Sequence, residues 1–317
     1  MDFKNLSIQS LHRRQGIKWK NYDEAIIPAW VADMDFPVAE SIRRALTDCI
    51  KRSDLGYPVS AEDSGLPKIF VRRARERFNW RIDSKDVFLI NDVVQGLYQG
   101  VYTLSEENQG VVVQTPIYPP FLQAIRDLNR KLLANPLCLG DAQYEIDFDH
   151  LSYCVKQKAG ILMFCNPHNP SGRAFSRVEL EKLAKFVCEH GLILLSDEIH
   201  ADLILDDITH IPIASIDKDV AKRTVTFMSA SKAFNIAGLC LAFAHFGHDD
   251  LIKSFKSLPG HLTGGVNALS IAAVKAAWES GDEWLQHVLC QLKVNREFVR
   301  EHVAARWPNV NYYPAEA

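Results

Sequence analysis

Six short apolar runs punctuate the middle of the chain. They are DVFLIND at 86–92, GVVVQTP at 110–116, AGILMFCNP at 159–167, GLILLSDE at 191–198, TVTFMSAS at 224–231 and CLAFAHF at 240–246. Each is strand-length and apolar throughout instead of alternating, the pattern of a strand buried on both faces. Amphipathic segments lie between many of them. In SRVELEKLAKFVCEHG, residues Val178, Leu180, Leu183, Phe186 and Val187 fall near one side of a helix, and Gly191 supplies a stop. Strands alternating with helices predict an α/β fold of three layers, a mainly parallel central sheet with helices on both faces. From about Ser270 the pattern turns helical, which marks a change of domain, and the closing PNVNYYPAEA reads as the start of a strand. The expected division is an N-terminal segment at 1–50 that contributes to a small α+β domain, a large domain at 51–285, and the start of the small domain at 286–317.

Composition narrows the function classes. With 317 residues the chain can bury a substantial core and make two domains. A net charge of -3 gives no sign of a surface for nucleic acid or acidic membrane. The N-terminal MDFKNLSIQSLHRR lacks the apolar core of a signal peptide, and no apolar run is long enough to span a bilayer. Seven scattered cysteines form no C-x-x-C pair, so neither a zinc site nor a disulfide framework is expected, and a reducing cytoplasm is the simplest location.

Ligands of open α/β sheets sit at the carboxyl ends of the strands, so the residues after each apolar run carry the chemistry. NPHNPSGR follows ILMFC, with Asn166, Asn169 and Arg173; DEIH ends the next run, with Asp197 and His200; SASK follows TFM, with Ser229, Ser231 and Lys232. TPIYPP contributes Tyr118, and NDVVQG opens a helix. Each has a plain structural explanation: a proline-rich turn, a helix cap, ordinary packing, a solvated lysine. Together they match the needs of pyridoxal phosphate. That cofactor takes a lysine for a Schiff base, a carboxylate against its ring nitrogen, and donors for its phosphate at a helix N-terminus. No metal is called for.

NPHNPSG, SDEIH and SASKAFNIAGL resemble the motifs of fold-type I pyridoxal-phosphate enzymes of the class I/II aminotransferase superfamily. The spacing agrees, with 28 residues from Asn169 to Asp197 and 35 from Asp197 to Lys232. Within that superfamily WVADMDFPVAESIRRAL at 30–46, GYP at 56–58 and SKAFNIAGL at 231–239 resemble the MalY/PatB group of cystathionine β-lyases. The resemblance covers essentially the whole chain. It implies a PLP-dependent transferase-like fold, with Lys232 as the Schiff-base lysine and Asp197 on the pyridine nitrogen. By the same resemblance Asn169 bonds the phenolic oxygen, Tyr118 stacks on the ring, and His200 stands where aminotransferases have tyrosine. The amides of Val93 and Val94, with Ser229 and Ser231, would hold the phosphate. Tyr57 would reach the phosphate of a neighbouring subunit in a homodimer, and Ala32–Asp33 would line the side of a small amino-acid substrate.

The departures carry information too. Cys240 occupies the position, eight residues after the lysine, of the aminotransferase arginine. Cys240 and His200 are both shared by the β-lyase group, so the resemblance implies α,β-elimination from cystathionine or a cysteine S-conjugate, giving pyruvate, ammonia and a thiol. Asp92 precedes the phosphate-facing amides, where an acid is tolerated only if it caps the helix or points away. The family continues past the equivalent of Ala317 and carries its substrate-carboxylate arginine there; Arg173 does not match that position, and the expectation is a C-terminally truncated chain. Alternatives are a class I/II aminotransferase, a truncated non-catalytic cofactor-binding or regulatory protein, and an α/β binding domain without cofactor.

Overall fold

All six apolar runs form strands. In the computed structural model, which describes residues 6–140 and 143–317, the strands are β1 (Val87–Ile90), β2 (Gly110–Thr115), β3 (Lys131–Leu139), β4 (Tyr144–Ile146), β5 (Ala159–Cys165), β6 (Ile193–Asp197), β7 (Thr224–Met228) and β8 (Ala242–Phe246). They make one sheet in the order β1-β8-β7-β6-β5-β2-β3-β4. Its centre, from β7 through β6, β5 and β2 to β3, is parallel. Strand β8 runs antiparallel to both β7 and β1, and β4 is antiparallel to β3. The apolar pattern missed β3 and β4. Strand β3 alternates buried and open positions and contains Pro136, as a strand near the sheet edge can, so it has no continuous apolar run.

Period-two alternation splits the core between the faces. Val111 and Val113 join one cluster with Leu97, Val101, Phe121 and Ile125, from the helices Val93–Leu104 and Pro119–Asp127. Val112 joins the opposite cluster with Leu151, Leu180 and Leu183, from Phe148–Val155 and Arg177–Glu189. Burying each such side chain is worth about 1.5–3 kcal/mol. The helix Arg177–Glu189 starts on a capping box, in which Ser176 Oγ accepts from the Glu179 amide and the Glu179 carboxylate accepts from the Ser176 amide. Within it Leu180, Leu183, Phe186 and Val187 are buried as expected. Val178 is not: it is 74% exposed, because the second residue of the helix lies before the stripe reaches the sheet.

A third cluster gathers Phe70, Phe234, Phe243, Trp278 and Trp284 around the helices Leu66–Phe78, Ala268–Ser280 and Asp282–Arg306. The last two confirm the helical turn of the sequence after 270. Arg73 is buried there, donating to both carboxylate oxygens of Asp202 at 3.1 and 3.0 Å and to Asp282 at 3.0 Å. The terminal PNVNYYPAEA contains no strand. Its backbone instead bonds to the loop after β5, with the amides of Glu316 and Ala317 donating to the Gly172 carbonyl.

Candidate active site

Parallel pairing puts the carboxyl ends of β2, β5, β6 and β7 on one edge. Two antiparallel steps, β7 to β8 to β1, return β1 to the same direction, so the start of the helix Val93–Leu104 reaches that edge too. Sheet order passes from β5 directly to β2, a switch point at which the following connections diverge and leave a crevice. The helix packs tightly onto the sheet because Gly96 has no side chain; a Cβ there would lie 2.6 Å from Ile90 Cδ1 and Phe227 Cε1.

Asp197 ends β6 in register with Cys165 on β5 and Phe227 on β7. Its Oδ1 accepts from the Ile199 amide at 3.0 Å, and Oδ2 accepts from no group among the described residues. Burial pushes its pKa up to about 7, with the Ile199 amide and Lys232 pulling down and Glu198 pushing up. Lys232 follows β7 in a turn, half-buried, and among the described residues its amine makes no ion pair or hydrogen bond. Its charge nonetheless acts on Asp197 and on His200. Burial, then Lys232, lowers His200 to about 4 against a bond to the Pro167 backbone, so this imidazole is neutral at pH 7.

At the β1 end, Asp92 is the N-cap: its Oδ1 accepts from the Gln95 amide at 2.8 Å. The acid is thereby turned onto the helix, and the Val93 and Val94 amides, at the first two helical positions, have no intrahelical acceptor. Ser231 Oγ is uncommitted among the described residues. Ser229 is different. Its hydroxyl donates to the Leu241 carbonyl at 2.7 Å and accepts from the Ser231 amide at 3.0 Å. It ties the start of β8 to the lysine loop, and its proton is taken.

Asn169, half-buried, carries a carboxamide without a partner among the described residues. Tyr118 follows β2 and is 43% exposed. Tyr57 is wholly exposed to solvent, at 104%. Ala32 and Asp33 lie in a loop reached by the lysine turn. Arg173 has other work: it pairs with Glu179 at 2.8 Å and Glu316 at 3.2 Å, so it holds the loop after β5 together. A cavity of about 1040 Å³ opens beside Arg173 and Phe175 but touches none of Asp197, Lys232, Asn169 or Tyr118. Volume alone therefore does not mark the site.

Sequence reasoning missed two residues, Glu198 and Asn235. Glu198, fully buried next to Asp197, accepts from Ser196 Oγ at 2.8 Å and the Ile213 amide at 3.3 Å, and meets His210 Nε2 at 2.7 Å. The DE doublet was the available signal, since neighbours at a strand end face opposite sides of the sheet. Asn235, three residues after Lys232, bonds to Met34 and Phe36. Nothing local marks it, because its partners are about 200 residues away.

Pyridoxal phosphate fits this donor set. A buried carboxylate with a free acceptor oxygen calls for a cation, which a protonated ring nitrogen supplies. A lysine, a carboxamide and a hydroxyl without partners among the described residues, with open amides at a helix N-terminus, match the aldehyde, ring oxygen and phosphate. Comparison with known proteins points the same way. Residues 66–317 match the family model for aminotransferase class I and II. The chain is 35% identical over 311 residues to cystathionine beta-lyase PatB of Bacillus subtilis, covering 96% of this chain and 80% of that one. Among solved structures it resembles OvoB, with a TM-score of 0.92 and 36% identity over 96% of this chain and 80% of the other. It also resembles a PLP-bound C-S lyase from Staphylococcus hominis, with a TM-score of 0.89 and 31% identity over 96% of this chain and 78% of the other.

Proposed function

The chain belongs to the aminotransferase class I and II family, and from that footing we propose that it is a pyridoxal-phosphate-dependent carbon–sulfur β-lyase. Its substrate class is an L-amino acid bearing sulfur on the β-carbon, cystathionine or a cysteine S-conjugate. The carrying observation is the pair Lys232 and Asp197: an amine and a buried carboxylate oxygen that have no partner among the described residues, in a chain 35% identical to a cystathionine β-lyase.

When bound, the cofactor supplies a carbonyl carbon for amines and a ring that draws negative charge from the substrate's α-carbon. Lys232 would hold it at rest, and its Nζ, when free, would take the substrate's α-proton as general base. Asp197, ionised, would face the ring nitrogen and favour its protonated form. Neutral His200 adds no competing charge beside it. The Cβ–S bond then breaks and the thiolate leaves with the bonding pair; the remaining carbon skeleton hydrolyses to pyruvate and ammonia. Asn169 would bond the ring oxygen and Tyr118 would cover the ring. The Val93 and Val94 amides and Ser231 would take the phosphate. Ser229 would contribute by fixing the Ser231 amide, since its own proton is committed.

The same reading makes the protein a cytoplasmic homodimer, with Tyr57 reaching the neighbouring subunit's phosphate and Ala32–Asp33 on the substrate side. The exposure of Tyr57 supports it. No helix among the described residues is long and apolar enough to cross a membrane. The division into a large domain at 51–285 and parts of a smaller one at 1–50 and 286–317 belongs to this proposal.

The test is incubation of the reconstituted protein with L-cystathionine and no keto acid. Pyruvate and a thiol should appear in equal amounts. No pyruvate in that incubation, with amino transfer once 2-oxoglutarate is added, would reject elimination in favour of transamination.

A further inference from the structure

We propose that Asn235 is a positioning residue that clamps the substrate-side strap to the lysine turn, setting the height of Ala32–Asp33 over Lys232. The proposal rests on the lyase reading only for which face of the site the strap serves.

The strap runs from Val31 to Pro37 with neither helix nor strand. Side chains hold its backbone. Asn235 engages both polar groups of Met34: Oδ1 accepts from the amide at 2.9 Å, and Nδ2 donates to the carbonyl at 2.7 Å. The same Nδ2 reaches the Phe36 carbonyl at 3.4 Å. From the other side, Lys18 Nζ donates to the Asp33 carbonyl at 2.6 Å and Arg14 Nη2 to the Asp35 carbonyl at 2.7 Å. Lys18 and Trp19 also bond the two Asp35 carboxylate oxygens, at 2.9 and 2.7 Å. The short helices Ile8–His12 and Ile17–Lys20 thus ride on the strap.

Asn235 is tied to the lysine as directly. Its amide donates to the Lys232 carbonyl at 3.3 Å, and the Ile236 amide donates to the Ser231 carbonyl at 2.9 Å, closing one turn. Its φ of 57° is left-handed, a conformation that asparagine tolerates and most residues do not. The chain therefore places a carboxamide where backbone geometry admits only Asn, Asp or Gly cheaply. Of these only Asn can both accept from the amide and donate to the carbonyl of one residue. Two backbone segments about 200 residues apart become one unit, with Lys232 at one end and Ala32–Asp33 at the other.

The decisive variant is Asn235→Gly, which keeps the left-handed turn and removes the clamp. Asn235→Asp keeps the size and the acceptor but sets an anion against the Met34 carbonyl. In Asn235→Gly, hydrogen exchange of the Met34 amide should rise about tenfold with the loss of its bond, and in Asn235→Asp, where the acceptor oxygen remains, it should rise less. The KM for cystathionine should rise about tenfold with kcat nearly unchanged, because the strap contributes to binding and not to proton transfer. The visible absorbance of the bound cofactor should stay as in the wild type. Unchanged Met34 exchange in Asn235→Gly would overturn the clamp. A fallen kcat with shifted absorbance and normal KM would also overturn it, since Asn235 would then shape only the lysine turn. Should the wild type release no pyruvate, the lyase reading fails alone. Met34 exchange, with the concentration dependence of the absorbance change on adding an amino acid, still decides the role of Asn235.

Discussion

In the cofactor-free protein, Asp197→Asn should raise stability at alkaline pH. Burial drives the Asp197 pKa from 3.8 up to about 7, the Ile199 amide and Lys232 only partly opposing it. A shift of about three units, at about 1.4 kcal/mol each, makes about 4 kcal/mol. The sign follows from proton counting. Between pH 4 and pH 7 the folded protein keeps a proton that the unfolded chain has lost, so this group's contribution to stability falls as pH rises and is fully lost above about pH 7. A neutral asparagine accepts the same Ile199 bond without that loss. The variant and the wild type should therefore melt together near pH 4 and separate to about 4 kcal/mol at pH 8.5. For a protein of this size that is about 5–8 °C. Thermal melts of both cofactor-free proteins across this range measure it. The comparison cancels His168, His200 and His245, all lowered to about 4 chiefly by burial and common to both proteins. Adding pyridoxal phosphate should reverse the order, because an ionised Asp197 then has a cation to face. A gap that does not grow with pH, or a less stable cofactor-free variant at pH 8.5, would refute the account of Asp197 as a carboxylate built for an absent cation.

Lys232→Ala should abolish the visible cofactor absorbance and pyruvate release, while the urea midpoint of the cofactor-free protein moves little, because among the described residues the amine has no hydrogen bond or ion pair to lose; a surviving absorbance band would assign the Schiff base elsewhere. Asp202→Ala should destabilise by about 3–5 kcal/mol in urea denaturation, since it leaves the Arg73 guanidinium buried with Asp282 alone. A midpoint shift under about 1 kcal/mol would mean that Arg73 relaxes to solvent.

The local chemistry of this protein is legible along the chain. Continuous apolar runs predict buried strands because a strand covered on both faces has no polar side to show, and the six runs became β1, β2, β5, β6, β7 and β8. The residues that end them, Asn169, Asp197 and Lys232, stand out because the carboxyl edge is where such a sheet binds ligands. Strand β3 was invisible, since an alternating strand containing proline resembles a loop, and Val178 was misplaced because a helix pattern does not say where the helix first meets the sheet. The closing segment read as a strand from its composition, yet docks as an irregular segment on Gly172.

Other properties belong to the tertiary structure alone. Ser229 looks like a phosphate-side hydroxyl until Leu241 is found to hold its proton. Asp92 looks hostile to phosphate until it is seen capping its helix. Burial, which sets the pKa of Asp197, and the meeting of Asn235 with Met34 depend on atoms brought close from distant parts of the chain. The sequence by itself determined which groups are present and the edge to which they are delivered, because these follow from short-range periodicity. Only the fold decided which of those groups remain free to act, because hydrogen-bond partners and desolvation are properties of three-dimensional neighbours.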